Sequence, residues 1–461
     1  MNLDLFIIQE ISTVREALEA IEANHFGIIF TSSTKSGEIV GLATDGDIRR
    51  KLLQGITLEC RISKCTNKDF FWVKSSASRE ELLKNLDHKI RIIPVLDENK
   101  KIVDIITRDY MPIASEQKVY ARSRAPVRVS FGGGGSDLTN YFSEEKGAVI
   151  SATITLYTHV TLIIRNDLLI KIQSKDLSSS LVAKNLKDES FAKNPSFGLI
   201  QSILKMVNPS FGFELIIHSD FPMNSGLGGS SSLAVAILGC FNQFRKDQWN
   251  SYEISELAFQ AERLHCNISG GWQDQYASVF GGFNFIEFNM DQNIVHPLRL
   301  NLNVISELEE SLVLCFTGLK HNSGHIHSDQ KKIAKKKNLR NDIRKSVDLS
   351  YQIRNLLLRG ELYEFSKLLS ESWESKKKYD NKISSKQLDN VYDYALENGA
   401  LSGKLLGAGG GGFFIFYTLP SNKLGLISAL EQFGLKIFNF RFDNQGLQSW
   451  LYRESLQGLN D

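Results

Sequence analysis

The stretch FPMNSGLGGSSSLAVAIL, residues 221–238, places glycines and three serines directly in front of an apolar run. Glycine costs backbone entropy on folding and serine competes with helical hydrogen bonding, so the stretch is poor structural filler. The free N–H groups and the dipole at a helix N-terminus favour an anion, which a glycine backbone allows to approach closely. The stretch therefore predicts an anion-binding loop followed by a helix over 229–245. The predicted contacting residues are Gly226, Leu227, Gly228, Gly229, Ser230, Ser231 and Ser232.

Two better-known nucleotide motifs do not explain this chain. The Walker pattern G-x-x-x-x-G-K-[ST] is absent, because its nearest match, Gly399–Lys404, is one residue too short. Gly407, Gly409 and Gly412 satisfy the dinucleotide pattern G-x-G-x-x-G, but the sequence FFIFY follows them and predicts a strand. Because the dinucleotide fingerprint has to open a helix, we exclude that motif as well.

Length and composition indicate an ordinary globular chain with more than one domain. The 461 residues exceed one typical core, and a composition of 42% hydrophobic and 23% charged residues argues against disorder. A net charge of +2 is too small to indicate nucleic-acid binding. The basic runs at 331–340 and 376–378 predict solvated helix faces, although one of these lysines is a candidate for contact with a substrate phosphate.

The N-terminus and the cysteines favour a cytoplasmic protein. The opening sequence MNLDLFIIQEISTVREAL has an early acidic residue and no cleavable apolar core, so we expect no signal peptide. No apolar run approaches the ~18 residues of a membrane span. The 5 cysteines are scattered and odd in number, which suits a reducing compartment. The C-x4-C pair of Cys60 and Cys65 predicts ordinary half-buried thiols rather than a zinc site.

The first 115 residues contain two copies of one small unit. Each copy has a predicted helix followed by two strands, and the copies end in TDGDIRRKLL and TRDYM. This order resembles a tandem CBS-domain pair, whose β-α-β-β-α modules often bind adenine nucleotides. The resemblance implies a regulatory nucleotide site in which Thr44 offers a hydroxyl group and Asp47 accepts from a ribose diol. Capping of the following helix by both residues is an equal alternative, and copy two has only Thr107-x-Asp109.

Three glycine-rich stretches follow the predicted linker at 112–119. They are RAPVRVSFGGGGSDLTNY (124–141), PMNSGLGGSSSLAVA (222–236) and KLLGAGGGGFFIFY (404–417). In sequence and order they resemble the motifs of the GHMP kinase superfamily, over about residues 120–455. The resemblance implies an α/β (α+β) chain in which a two-layer kinase fold follows the CBS pair. The implied domains are the CBS pair at 1–115, an N-terminal lobe of the ribosomal-S5-domain-2 type at 119–310 and a ferredoxin-like C-terminal lobe at 311–461.

Within this superfamily, the sequences FGGGGSD and SGGWQDQYASVFGG most resemble the heptose 7-phosphate kinases. The resemblance implies an enzyme that uses ATP and Mg²⁺ to phosphorylate the anomeric hydroxyl of a heptose 7-phosphate. A fucose- or galactose-type sugar kinase and a non-catalytic sugar or nucleotide sensor on this fold remain alternatives. The oligomeric state stays open, with a homodimer as one alternative, and we expect neither nucleic-acid nor membrane partners.

The resemblance also assigns catalytic and metal-binding residues. Asp274 matches the family's catalytic aspartate, which accepts the sugar hydroxyl proton as the oxygen attacks the γ-phosphoryl group. Arg128 matches a basic residue that neutralises charge on that aspartate or on the phosphoryl group. Ser230 and Glu262 match the protein oxygens that bind Mg²⁺. Taken alone, Glu262 predicts an exposed helix carboxylate.

The implied sugar-binding residues lie in the first and third glycine-rich stretches. They are Gly134, Ser136 and Asp137 in the first stretch and Gly409 and Gly410 in the third. Small residues leave room for the sugar there, and a carboxylate accepts hydrogen bonds from sugar hydroxyl groups. Alternatively, Asp137 caps the helix that begins at LTNYF.

The segment 316–330 departs from the family pattern. It has Lys320 or His321 where the resemblance leads us to expect an arginine, so the residues that hold the substrate's distal phosphate stay unassigned. Three histidines of this segment give only weak support for a metal site: His321, His325 and His327.

Overall fold

The computed structural model describes residues 2–75, 77–87, 90–108, 110–111, 117–319 and 337–455. The chain divides into two compact units, Met1–Gln117 with Ser455–Asp461, and Lys118–Glu454. Each unit has its own β-sheets and its own hydrophobic cores.

The first unit repeats one arrangement of strands and helices. The first copy consists of β1 (Ile7–Gln9), α1 (Val14–Asn24), β2 (Ile28–Ser32), β3 (Ile39–Thr44) and α2 (Asp45–Leu53). The second copy consists of β4 (Val73–Lys74), α3 (Arg79–Asp87), β5 (Ile92–Leu96) and β6 (Ile102–Thr107). The sheet orders are β1-β2-β3 and β4-β5-β6, each with one parallel pairing followed by one antiparallel pairing. The two copies therefore share one topology.

Helix α1 shows how the sequence sets the elements of this unit. Thr13 and Glu16 close a capping box at its start, which satisfies backbone N–H groups of the first turn. Val14, Ala17 and Ile21 are buried at helical spacing and pack on the sheet. Strands β1 and β4 were not predicted, because 3 and 2 residues are too few to show an alternating pattern.

The N-terminal half of the second unit is built on one mixed sheet. Its strands are β7 (Gln117–Gly132), β8 (Gly147–Ile164), β9 (Ile170–Ser174), β10 (Ser179–Ala183), β11 (Phe213–Ser219), β12 (Phe283–Phe288) and β13 (Asn293–Pro297). The 18-residue strand β8 is the centre of the sheet. Strand β12 pairs with its first part, β11 pairs with its last part, and β7 also pairs with it along most of its length.

The helices of this half include one that is almost entirely buried. They are α4 (Thr139–Phe142), α5 (Glu189–Lys193), α6 (Gly198–Val207), α7 (Gly229–Asn242), α8 (Ser251–Phe259) and α9 (Gln273–Phe280). Residues 234–242 of α7 are all buried, because this part of the helix is almost entirely small or apolar and is covered on every side. Helix α7 contacts β8, α8 and α9, and this packing fixes the position of the loop before its first residue.

The C-terminal half of the second unit combines helices with an antiparallel sheet. Its elements are α10 (Leu302–Ser311), β14 (Leu312–Phe316), α11 (Lys337–Arg359), α12 (Leu362–Lys377), α13 (Lys386–Glu397), β15 (Ala400–Leu405), β16 (Phe413–Thr418), α14 (Lys423–Gln432), β17 (Lys436–Phe438) and β18 (Gln448–Ser455). The sheet order is β15-β16-β14-β17, while β18 pairs with β7. Every residue of β16 is buried, which explains why FFIFYT is continuously apolar rather than alternating.

Several predicted boundaries differ from the structure. The helix predicted over 229–245 ends at Asn242, and the helix predicted over 252–266 is α8 followed by a π-helical segment, Gln260–His265. The strand predicted at 310–316 begins at Leu312, because α10 occupies the chain as far as Ser311. Within the described part of the chain, none of the helices combines the length and the apolar composition that a membrane crossing needs.

Candidate active site

The loop before α7 has the backbone geometry that only glycine accepts readily. Gly226 and Gly228 have φ angles of 81° and 82°, in the left-handed region. A Cβ atom on Gly228 would lie 3.1 Å from the Asp274 carboxylate, so this backbone closely approaches that side chain. Gly228 is the N-cap residue of α7 and brings no side-chain cap, which leaves the first N–H groups of the helix available to an anion. A cavity lined by Gly226, Gly228, Gly229 and Ser230 lies at this point.

The other residues predicted to contact the anion, Leu227, Ser231 and Ser232, do not line this cavity. The Leu227 side chain is fully buried, and its carbonyl accepts the Arg128 backbone N–H at 3.2 Å. Ser231 Oγ donates to Glu262 Oε2 at 2.6 Å, and Ser232 Oγ donates to the Ala125 carbonyl at 2.7 Å. Direct contact of a phosphate with these two hydroxyl groups would break both hydrogen bonds. In the structure, Leu227, Ser231 and Ser232 support the loop through these contacts, and their predicted contact with the anion stays a prediction.

Glu262 is a fully buried carboxylate rather than an exposed helix residue. It accepts hydrogen bonds from Ser230 Oγ at 2.5 Å, from Ser231 Oγ at 2.6 Å and from Gln275 Nε2 at 2.5 Å. The serines at the start of α7 are thus tied to the π-helical segment that carries Glu262. The carboxylate and hydroxyl oxygens are the donor type that Mg²⁺ prefers, and phosphate oxygens usually complete such a site. Ser230 and Glu262 therefore fit Mg²⁺ in their chemistry, and the Ser230 side of the pair faces the cavity.

Arg128 on β7 and Asp274 on α9 form a largely buried ion pair. Arg128 on β7 has Nε at 2.8 Å and Nη2 at 2.7 Å from Asp274 Oδ1, while its Nη1 donates to the Gly226 carbonyl at 2.9 Å. The Arg128 side chain is 4% exposed and that of Asp274 is 18% exposed, so the carboxylate keeps an open side. Both residues line the loop cavity and a second, adjoining cavity.

The second cavity lies between the first glycine-rich stretch and α12. Its lining includes Gly134, Asp137, Asp274, Lys376 and Ala408. Asp137 is buried, and burial followed by repulsion from Asp274 raises the pKa of its carboxyl group. The carboxylate accepts the Gly135 N–H at 3.1 Å and the Gln273 N–H at 3.4 Å. This arrangement places two carboxyl groups in a pocket that also holds cationic side chains.

The structure excludes one of the two interpretations of Asp137. Helix α4 begins at Thr139 with Leu138 as its N-cap and no side-chain cap hydrogen bond, so the helix-capping interpretation is wrong. A Cβ atom on Gly271 would lie 1.9 Å from Asp137 Oδ2, which explains why a glycine faces this carboxylate.

Ser136, predicted beside Asp137, does not reach the cavity. It is fully buried, and its Oγ donates to the Gly133 carbonyl at 2.8 Å and lies 3.1 Å from the Ala148 carbonyl. Its hydroxyl group holds the glycine-rich turn together, and the predicted contact with the sugar stays a prediction.

The third glycine-rich stretch supports the other two. Gly407 and Ala408 line both cavities. Gly409 and Gly410 instead lie against Ile383, where a Cβ atom on Gly409 would be 2.8 Å from the Ile383 Cα atom and the Gly410 N–H donates to the Ile383 carbonyl at 2.8 Å. Their predicted contact with substrate stays a prediction, because the cavity lining is supplied by the two residues before them.

The sequence did not single out two cationic residues of the site, Lys376 and Arg263. Lys376 on α12 is half-buried, donates to the Gly407 carbonyl and lines the second cavity. Burial, followed by the charge of Arg128, lowers the pKa of its amino group to about 8. Lys376 lies three residues after the buried Trp373, and residues i and i+3 share a helix face. This spacing could have indicated that Lys376 faces inward. Arg263, on the π-helical segment, lines both cavities.

In the first unit, Thr44 and Asp47 form the capping box of α2. Thr44 Oγ1 accepts the Asp47 N–H at 3.1 Å, and Asp47 Oδ2 accepts the Thr44 N–H at 3.0 Å. Both residues thus cap the helix. Partial burial raises the pKa of the Asp47 carboxyl group, but hydrogen bonds, chiefly those from Thr44, outweigh this effect and lower the pKa below its usual value. Nucleotide binding by the same two residues stays a prediction. Thr107 of the second copy accepts from the Tyr110 N–H at 2.9 Å, and Asp109 lies outside the described residues.

Most of the segment 316–330 lies outside the described residues. Lys320, His321, His325 and His327 all lie there, so the structure does not bear on the distal phosphate or the histidine cluster. Among residues that the structure does describe, no group of three or more His, Cys, Asp and Glu side chains could hold a metal ion.

Both units match known protein families. Residues 196–282 match the N-terminal domain of the GHMP kinases and 353–434 match their C-terminal domain, while 1–54 and 62–111 match the CBS domain. The chain is 37% identical over 336 residues to the D-glycero-alpha-D-manno-heptose 7-phosphate kinase of Campylobacter jejuni, and the alignment covers 71% of this chain and 98% of that protein.

Solved structures agree with this relationship. A sugar kinase from Campylobacter jejuni is 34% identical with a TM-score of 0.59, and a D-glycero-D-manno-heptose 1-phosphate kinase from Bacteroides thetaiotaomicron is 32% identical with a TM-score of 0.59. Each alignment covers 72% of this chain and 98% of the other. These matches confirm the predicted fold class and enzyme class. The chain therefore belongs to the GHMP kinase family, carries a CBS-domain pair ahead of its kinase part, and is an ATP-dependent sugar kinase.

Proposed function

We propose that this kinase transfers the γ-phosphoryl group of ATP to the anomeric hydroxyl of a D-glycero-D-manno-heptose 7-phosphate. The observation that carries the proposal is the position of Asp274, whose carboxylate lines both adjoining cavities while Arg128 holds it in place. A base at the border of two cavities is suited to a reaction in which a group moves from one to the other. The 37% identity to a D-glycero-alpha-D-manno-heptose 7-phosphate kinase supports the heptose substrate.

The loop cavity suits the triphosphate of ATP. Its wall combines the glycine backbone at 226–229 with the N-terminus of α7, and both favour an anion. Mg²⁺, held by Ser230 and Glu262, would neutralise phosphate charge when bound. The helix end and the backbone N–H groups orient the triphosphate so that its terminal phosphate faces Asp274.

The second cavity suits the sugar. Gly134 leaves room there, and Asp137 can accept hydrogen bonds from sugar hydroxyl groups or donate one when protonated, as its raised pKa favours. Asp274 accepts the proton of the C1 hydroxyl, the oxygen forms a bond to the γ-phosphorus, and the bond from phosphorus to ADP breaks. An anomeric hydroxyl is more acidic than other sugar hydroxyls, so Asp274 need not be a strong base.

The CBS pair suggests a separate regulatory site. We propose that it binds an adenine nucleotide through Thr44 and Asp47, and that domain boundaries follow the predicted ranges 1–115, 119–310 and 311–461. The division of the chain near residue 117 supports the first of these boundaries. Light scattering of the purified full chain would show whether it forms the homodimer that the sequence leaves open.

Mass spectrometry of the products tests the substrate assignment. The protein would be incubated with ATP, Mg²⁺ and a panel of heptose 7-phosphate, heptose 1-phosphate, fucose, galactose and mannose. We expect a heptose bisphosphate from the 7-phosphate alone, with the new phosphate at C1 by ³¹P NMR. Transfer only to unphosphorylated sugars, or only to the 1-phosphate, would overturn the heptose 7-phosphate assignment and leave the kinase class intact.

A further inference from the structure

Arg263 is a cationic residue at the junction of the two cavities that the proposed mechanism has not used. Its side chain is 7% exposed, and the residue lines the loop cavity as well as the second cavity. It follows Glu262 on the π-helical segment Gln260–His265. Single π-helical turns inside helices are rare and occur frequently at functional sites.

The hydrogen bonding of Arg263 is incomplete for a buried guanidinium group. Nη1 donates to the Ile268 carbonyl and Nη2 to the Gly271 carbonyl, both at a long 3.3 Å. Nε is buried and has no hydrogen-bond partner among the residues that the structure describes. A buried charge with so few partners is costly, which suggests that an anion completes its environment.

The neighbouring carboxylate does not complete the environment of Arg263. Glu262 Oε1 lies 3.7 Å from Nη1, beyond hydrogen-bond distance, and both Glu262 oxygens already accept shorter bonds from serine and glutamine side chains. Arg128 differs, because its three guanidinium nitrogens are all engaged by Asp274 and Gly226 at 2.7–2.9 Å. Arg263 is therefore the less engaged of these two cations.

Gly270 makes room for the guanidinium group. A Cβ atom on Gly270 would lie 2.5 Å from Nη2 and 2.6 Å from Cζ of Arg263. The next residue, Gly271, makes the corresponding room for the Asp137 carboxylate. The glycine pair in SGGWQDQYAS thus holds one group of each charge at the wall of the second cavity.

We propose that Arg263 is a catalytic residue that binds the transferring phosphoryl group, an inference that rests on the proposed function. Its position on both cavities matches the path of that group from ADP to the sugar oxygen. Arg263 acts only as a hydrogen-bond donor in this step. It donates hydrogen bonds to the non-bridging oxygens while the bond from phosphorus to ADP breaks and the bond to the sugar forms. The alternative is a purely structural role, in which Arg263 only anchors residues 268–271 through their carbonyl groups.

The test compares R263Q and R263K with R359Q, which removes an exposed guanidinium group whose side chain is 76% exposed. We would measure kcat, the KM for ATP, thermal unfolding, and the affinity for ADP with sugar in the presence and absence of aluminium fluoride. Aluminium fluoride with ADP mimics the transferring phosphoryl group, so it reports on that group without turnover.

We expect R263Q to lower kcat by about 10²–10³-fold, as for the loss of one donor to a transition-state oxygen, with little change in the KM for ATP. Aluminium fluoride should tighten ADP binding on the wild type and on R359Q but not on R263Q. R263K should be intermediate, because a lysine keeps the charge and loses the planar fork.

Two results would overturn the inference. One is a kcat of R263Q, or of R263K if R263Q does not fold, that equals the wild-type value. The other is that R263Q lowers the affinity for ADP, measured without aluminium fluoride, by the same factor as it lowers kcat. A purely structural role of Arg263 predicts that result. If the wild type phosphorylates no sugar, the proposed function fails, whereas the aluminium fluoride measurement with ADP still tests Arg263.

Discussion

At the scale of single residues, the site is a set of charges held by backbone contacts. Arg128 fixes Asp274 through two nitrogens and also donates to the Gly226 carbonyl, so one arginine ties the proposed base to the loop before α7. Preorganised groups of this kind lower the reorganisation that the transition state requires. The sequence could single out Asp274 and Arg128 as candidates because their motifs are specific. It could not single out Arg263, because an arginine in a helix is ordinarily a surface residue.

Asn in place of Asp274 tests the base at this scale. D274N keeps the size and most hydrogen bonds of the side chain and removes its ability to accept the sugar proton. We expect the affinity for ATP to stay close to the wild-type value and kcat to fall by about 10²–10⁴-fold. Single-turnover kinetics and equilibrium binding of ATP would measure both. An unchanged kcat would show that another group takes the proton.

The pH dependence of the reaction tests Lys376. Burial and the charge of Arg128 lower the pKa of its amino group to about 8, so the ammonium form is present below that pH and is lost as pH rises through it. We expect kcat/KM for the sugar, which reports the free enzyme, to fall above about pH 8. In K376M the activity should be low at pH 7 and this alkaline decrease should vanish. An unaltered alkaline limb in K376M would assign the titration to another group.

At the scale of elements, the proposed anion site depends on the loop before α7 and on α7 itself, both of which the stretch 221–238 predicts. Helix α7 forms where the sequence predicts it, because its apolar residues leave it no exposed face. The π-helical segment was not predictable, since the periodicity of residues 252–266 is that of an ordinary helix. That segment carries Glu262 and Arg263, so the least predictable element supplies two of the candidate functional groups.

An alanine at Gly228 tests the loop. The position has a φ of 82°, and a Cβ atom there would lie 3.1 Å from the Asp274 carboxylate. We expect G228A to lower kcat by about 10²-fold, because a small displacement of the base is costly. The matched control is G425A on α14, where a Cβ atom meets nothing within 4 Å, and which should be neutral or slightly stabilising. Equal activity of both variants would contradict the account of the loop.

At the scale of the whole molecule, the sequence predicts the order of the parts better than their details. The duplicated small unit and the three glycine-rich stretches fixed the fold class. Strands β9, β10 and β18 were not predicted, since they lie towards the sheet edges and lack long apolar runs. For Asp137, two interpretations were open because a carboxylate before a helix fits both. The backbone contacts of its carboxylate exclude helix capping, and sugar binding stays a prediction.

The regulatory prediction concerns the CBS pair in the full chain. If Asp47 binds a ribose, D47N should weaken binding of AMP by about tenfold or more, since hydrogen bonds to a charged group are worth 1.5–3 kcal/mol. E16Q is the matched control, because Glu16 occupies the same place in the capping box of α1. Isothermal titration calorimetry measures both. Equal AMP affinity in the two variants would leave Asp47 as a helix cap.

The most direct test of the account is a crystal structure of the protein with a non-hydrolysable ATP analogue, Mg²⁺ and a heptose 7-phosphate. We expect the triphosphate to lie on the backbone N–H groups of residues 226–230. The terminal phosphate should lie between Arg263 and the Asp274 carboxylate, and C1 of the sugar should lie beside Asp274. A triphosphate bound away from this loop, or a sugar whose C1 hydroxyl is remote from Asp274, would contradict it.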